Sequence, residues 1–175
     1  QPIKDAQMRE YLLSPDRPEV AREAKALPEG ELAAILRMAN GAIGRALTLL
    51  EKEKRASVLA RRTAAEQFCH TLAQMRAPDE LLALLLSFGT AREDLLARLS
   101  AITEALRDLL LLNYTDNAPM IFFTDREAAS ELSACFAAER LQSFLKATEE
   151  TMEQLSANAN VRLSLFSYLN RILTQ

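Results

Sequence analysis

The sequence predicts an all-α protein, a small helical bundle followed by a larger one. Three observations carry this. Apolar residues recur at steps of three and four through most of the 175 residues, which is the period of one helix face. Gly (4) and Pro (6) are scarce beside abundant Ala, Leu, Glu and Arg, a composition that favours helix. No stretch shows the apolar–polar alternation of a half-buried strand.

Residues 1–4 read as extended, since Pro2 disfavours helix in the residue before it. Asp5 is placed to cap a short helix through Leu13, with Met8, Tyr11 and Leu12 inward. Ser14-Pro15-Asp16 breaks it. Asp16 and Glu19 have capping-box spacing, with Pro18 in the first turn, for a helix to Leu27. Pro28-Glu29-Gly30 is a turn. Leu32, Ile35, Leu36 and Ala39 form the stripe of the next helix. Asn40-Gly41 ends it, because both residues tolerate left-handed backbone. A new helix starts at once, with Ile43, Ala46, Leu47 and Leu50 in register. Gly44 lies inside it, where Gly costs about 1 kcal/mol relative to Ala. Close packing of a neighbouring helix against a position with no side chain is one reading of that cost.

Glu51-Lys52-Glu53-Lys54-Arg55 is a charge run of mixed sign, a solvated helix surface or a junction between packing units. The boundary is placed there, giving units of residues 1–52 and 53–175. Arg61 and Arg62 follow, but Glu51, Glu53 and Glu66 dilute any phosphate-attracting field. Ala65, Phe68, Leu72 and Met75 make the next buried stripe. Ala77-Pro78-Asp79 opens a helix over 81–88 that is apolar nearly all round and therefore central. Gly89 stops it. Thr90 and Glu93 form a capping box, and Leu95, Leu99, Ile102, Leu106 and Leu109 then recur as a long helical seam. Residues 113–119 are a turn-rich loop, and Met120-Ile121-Phe122-Phe123 is a short apolar plug. Thr124 and Glu127 form another capping box, for a helix through Phe136 that uses Ala128, Leu132 and Phe136. Leu141, Leu145, Met152 and Leu155 stripe the following helix, with Thr148 interrupting. Ser156-Ala157-Asn158-Ala159 breaks the pattern. Asn160 caps the last helix, whose stripe is Leu165-Phe166, Leu169 and Ile172-Leu173.

Composition excludes several classes. With 49% hydrophobic and 26% charged residues the chain is globular rather than disordered. A net charge of -3 is too near neutral to predict a nucleic-acid or membrane surface. No apolar run reaches the roughly 18 residues of a bilayer span. Cys69 and Cys135 make no disulfide framework, and a reduced, cytoplasmic setting is expected. The chain opens on Gln1 rather than Met and shows no signal peptide, so it is expected to be a fragment. It contains no Gly-x-x-x-x-Gly-Lys-Ser/Thr loop. His70 is the single histidine. It makes a poor metal pair with adjacent Cys69, and Glu66 with His70 lacks the second histidine of a di-iron bundle. Glu149, Glu150 and Glu153 read as a solvated face. No catalytic residue, metal or cofactor is expected.

The run Gly41-Ala42-Ile43-Gly44-Arg45-Ala46-Leu47 resembles the Gly-Ser-x-Gly-Arg-Ala-Leu run in the lid of delta-prime subunits of bacterial DNA polymerase III clamp loaders. Leu106-Arg107-Asp108-Leu109-Leu110-Leu111-Leu112 is similar to the Arg-Asp-Leu-Leu helix end of that family's collar. Asn158-Ala159-Asn160-Val161-Arg162-Leu163 is similar to the Asn-Ala-Asn-x-Arg-Leu run that opens the family's last helix. Gln1-Pro2-Ile3 resembles the end of the ATPase module. The order and distances of the first three stretches fit, and together they span most of the chain.

The resemblance implies that residues 1–52 are an AAA+-type lid and residues 53–175 a helical collar that serves oligomerisation. Gly41, Gly44 and Arg45 would be the lid motif. Arg107, Asp108, Asn158, Asn160 and Arg162 would be structural residues of the collar. The implied role is non-catalytic: to help assemble the complex that loads the sliding clamp in DNA replication. Other clamp-loader subunits would be met through the collar, and the sliding clamp and primer-template DNA only through the parent complex. No membrane contact and no strong self-association are implied. One departure bears on mechanism. The ATP-hydrolysing relatives carry a lid arginine where Gly44 stands here, and a one-residue shift turns a side chain about 100° around a helix. Arg45 then points elsewhere, either in a surface salt bridge or as suits a non-hydrolysing subunit. Two other readings stay open: the lid and collar of an ATP-hydrolysing subunit, and an unrelated helical adaptor with a peptide-binding groove. Titration calorimetry with ATP and magnesium should show no specific heat, and micromolar binding would overturn the lid-and-collar assignment.

Overall fold

The computed structural model describes residues 4–39, 41–75 and 77–174. Their regular structure is ten helices with no strand: α1 (Asp5–Leu13), α2 (Pro18–Ala26), α3 (Glu29–Ala39), α4 (Ile43–Leu50), α5 (Lys52–Gln74), α6 (Pro78–Ser87), α7 (Arg92–Tyr114), α8 (Arg126–Ser133), α9 (Ala138–Ser156) and α10 (Val161–Leu173). The chain divides into two compact units, Gln1–Ala60 and Arg61–Gln175. That division falls inside α5 and not at the charge run. Arg55 explains why the first turns of α5 stay with the first unit. Its guanidinium donates to the carbonyls of Leu49 and Leu50, each at 3.2 Å, at the open C-terminus of α4, and lies 3.6 Å from the Glu31 carboxylate. Helix C-termini leave carbonyls without intrahelical partners, and a cation there satisfies them.

The first unit is built on α3. Leu32, Ile35, Leu36, Met38 and Ala39 are buried against Met8 and Leu12 of α1, Ala24 of α2 and Ala46, Leu49 and Leu50 of α4. Tyr11 is only half-buried, and the Arg17 guanidinium lies 3.9 Å above its ring. Two predicted caps do not form. The N-cap of α1 is Lys4 rather than Asp5, and that of α2 is Arg17, neither with a side-chain cap. The Asp16 amide instead donates to the Ser14 hydroxyl oxygen at 3.3 Å, a local turn that competes with capping. Asn40 lies outside the described residues. Gly41 takes the left-handed backbone expected of a helix terminator, with φ 79°, and the Ala42 amide donates to the Ala39 carbonyl at 2.9 Å. Gly44 is exposed, and a Cβ built there meets nothing within 4 Å. Among the described residues of the first unit nothing packs against it, so the close-packing reading of Gly44 finds no support there.

The second unit is built on α7. Leu95, Leu99, Ile102, Leu106 and Leu109, the predicted seam, have no exposed surface. Helix α7 packs against α8 and α9, α9 against α10, and α10 against α6. Helix α5 adds Phe68, whose ring stacks on Tyr168 with centroids 6.0 Å apart. Helix α6 is one-sided rather than central: Leu81, Leu84 and Leu85 are buried but Leu86 is 51% exposed. The N-cap of α7 is Ala91, so the Thr90–Glu93 box does not form. Asp125, not Thr124, caps α8, accepting the amides of Glu127 and Ala128 at 3.0 and 3.2 Å. That helix ends at Ser133 and turns Ala129 and Leu132 inward while Ala128 is exposed; Phe136 is buried beyond its end.

The largest correction concerns the last two helices. Phe166 is 48% exposed, and Tyr168 is the ring that α10 buries. Thr148 does not interrupt the α9 stripe; it is buried within it, with its hydroxyl 2.8 Å from the Tyr168 hydroxyl and bonded to the Phe144 carbonyl. A buried phenol needs a polar partner, and Thr148 supplies one. Phe144, fully buried and edge-on to Phe136, is then a sounder measure of the core than Phe166. In urea unfolding, Phe144→Ala should cost about 3–5 kcal/mol, whereas Phe166→Ala should cost less than about 1 kcal/mol. Equal losses would contradict the packing of α10.

Candidate functional site

The eight residues singled out in the sequence are divided between the two units. Gly41, Gly44 and Arg45 lie at the α3–α4 turn and the start of α4, in the first unit. Arg45 is exposed. The other five lie in the second unit, in two places set by the ends of α7.

Toward the C-terminal end of α7, Asp108 has no exposed surface. Its carboxylate accepts three successive backbone amides: Oδ2 takes those of Ile121 at 2.9 Å, Phe122 at 2.7 Å and Phe123 at 3.2 Å. Oδ1 lies 3.2 Å from the Ile121 amide and 3.1 Å from the Arg107 guanidinium. Consecutive amides turned to one side make a concave anion site, and here the chain's own carboxylate fills it. Hydrogen bonds to an ionised acceptor are shorter and stronger than neutral ones. The apolar plug is thereby pinned, with Phe122 fully buried. The Arg62 guanidinium lies 4.4 Å above the Phe122 ring, and Arg61 lies 3.8 Å from Asp94. Both arginines of the basic pair thus have partners in their own unit. The loop before α8 is closed by Arg126, which donates to the carbonyls of Asp116 and Ala118. The Asn113 amide donates to the Ser133 hydroxyl oxygen at 2.7 Å, and that hydroxyl donates to the Leu109 carbonyl at 2.8 Å.

At the N-terminal end of α7 the second motif closes one helix and opens the next. Asn158 has φ 64°, the left-handed backbone that Asn tolerates. The Ala159 amide reaches the Gln154 carbonyl at 2.9 Å and the Asn158 amide the Leu155 carbonyl at 3.1 Å, the paired bonds of a Schellman ending. Asn160 Oδ1 accepts the Leu163 amide at 3.2 Å and caps α10, as predicted. Arg162 is exposed. Arg92, which sequence reasoning passed over, donates to the carbonyls of Leu155 and Ala159. No local pattern marks it, because its partners lie 63 and 67 residues along the chain. Arg92 and Asp108 are sixteen residues apart on one helix, a rise of roughly 24 Å, so the two motifs form separate fastenings rather than one site.

The cleft of about 520 Å³ between α5 and α6 is lined by Gln67, His70, Thr71, Gln74, Glu80 and Ser87, none of them in the two motifs. His70 is exposed and Cys69 buried. Burial, and then the charge of Glu66, push the Cys69 thiol up to about 12, so it stays protonated. Burial likewise raises the Tyr168 hydroxyl above its ordinary value. Glu150 is half-buried and bonded to Arg171 at 2.6 Å, while Glu149 and Glu153 are exposed. Among the described residues no group of three or more His, Cys, Asp or Glu is placed to hold a metal ion, and no helix is long and apolar enough to cross a membrane.

Comparison with family models, curated proteins and solved structures returns no match to this chain.

What the two motifs do chemically is hold backbone. Orphaning a buried amide costs about 1–3 kcal/mol. Asp108→Ala leaves three amides without their acceptor and should cost about 3 kcal/mol or more in urea unfolding. Asp108→Asn should fall between it and the unaltered protein, because one amide oxygen still accepts. A loss below about 1 kcal/mol for Asp108→Ala would show that water replaces the carboxylate without penalty.

Proposed function

We propose that this chain is the lid and collar of a clamp-loader subunit of the delta-prime kind, acting in assembly rather than in catalysis. One observation carries the reading. Asp108, Asn158 and Asn160, matched to the family's collar motifs, each hold a turn of backbone within the second unit. Residues used in this way suit a module whose task is to keep its shape while neighbours pack on it. The division into a small and a larger all-helical unit agrees in kind with a lid followed by a collar. Neither motif lines the cleft between α5 and α6, which suits a structural role for both.

In this reading the contacts are with other, non-identical clamp-loader subunits. Such contacts are heterologous and close only in the full assembly. The sliding clamp and primer-template DNA are reached through the parent complex, and the setting is the bacterial cytoplasm. Light scattering tests the proposal directly. The chain alone should be mainly monomeric, and mixed with the other clamp-loader subunits it should enter a larger complex. A stable homo-oligomer, or no association with any of those subunits, would overturn the proposal in favour of an unrelated helical adaptor.

A further inference from the structure

We draw no further inference here: the strongest candidate, the exposed apolar pair Leu163 and Phe166 on the outer face of α10, carries nothing because nothing in the structure shows what covers it.

Discussion

A carboxylate with no exposed surface, Asp108, lies between Leu106 and Leu109 of the apolar seam of α7. A buried charge without partners is very costly, and a buried backbone amide without an acceptor is costly too. Each cancels the need of the other here. The carboxylate takes three consecutive amides of a segment with no regular structure, and that segment needs no sheet or helix to satisfy them. Residues 121–123 can therefore serve as a wall of the core. Phe122 goes in fully buried, Phe123 packs edge-on to it at 4.9 Å, and Arg62 covers its ring. Helix α8 is then reached through a loop fixed by Asp108 in its middle and by Arg126 near its start.

The other end of α7 repeats the device with the signs reversed. Arg92 brings a cation to the Leu155 carbonyl in the last turn of α9 and to the Ala159 carbonyl just beyond it, where the helix dipole is negative. Asn158 turns the chain with left-handed backbone, and Asn160 restarts it by capping α10. The central helix thus binds remote backbone at both ends through charged side chains, while its apolar stripe fills the middle. Helix α10 depends on this arrangement, because its approach to α9 places the Tyr168 hydroxyl against Thr148.

The apolar stripes were legible wherever burial follows hydrophobicity along a single helix. All five seam residues of α7 are buried, as are Leu32, Ile35, Leu36 and Ala39. What escaped was non-local. Thr148 reads as an interruption of its stripe and Tyr168 stands outside the stripe expected of α10; they are one contact, twenty residues apart. Phe166 outranks Tyr168 in hydrophobicity, yet Tyr168 is the residue with a partner in the core. The predicted boxes at Asp16, Thr90 and Thr124 rest on a local spacing rule. The structure caps α8 with the next residue, Asp125, and leaves α2 and α7 without a side-chain cap. Asn160 succeeded because it meets both the local rule and the break before it. Of the candidate site residues, Asp108 was reached through resemblance alone, since amides thirteen to fifteen residues away leave no periodic trace. Arg92 had neither kind of signal.

Native-state hydrogen exchange at the Ile121, Phe122 and Phe123 amides tests most directly whether Asp108 holds this segment. Amides held by a buried acceptor exchange only when the structure around them opens. All three should be protected nearly as strongly as the buried middle of α7. In the Asp108→Asn variant their protection should fall while the amides of Leu99 and Ile102 remain protected. Exchange in the unaltered protein at the rate of an unstructured loop, with α7 still protected, would contradict the account.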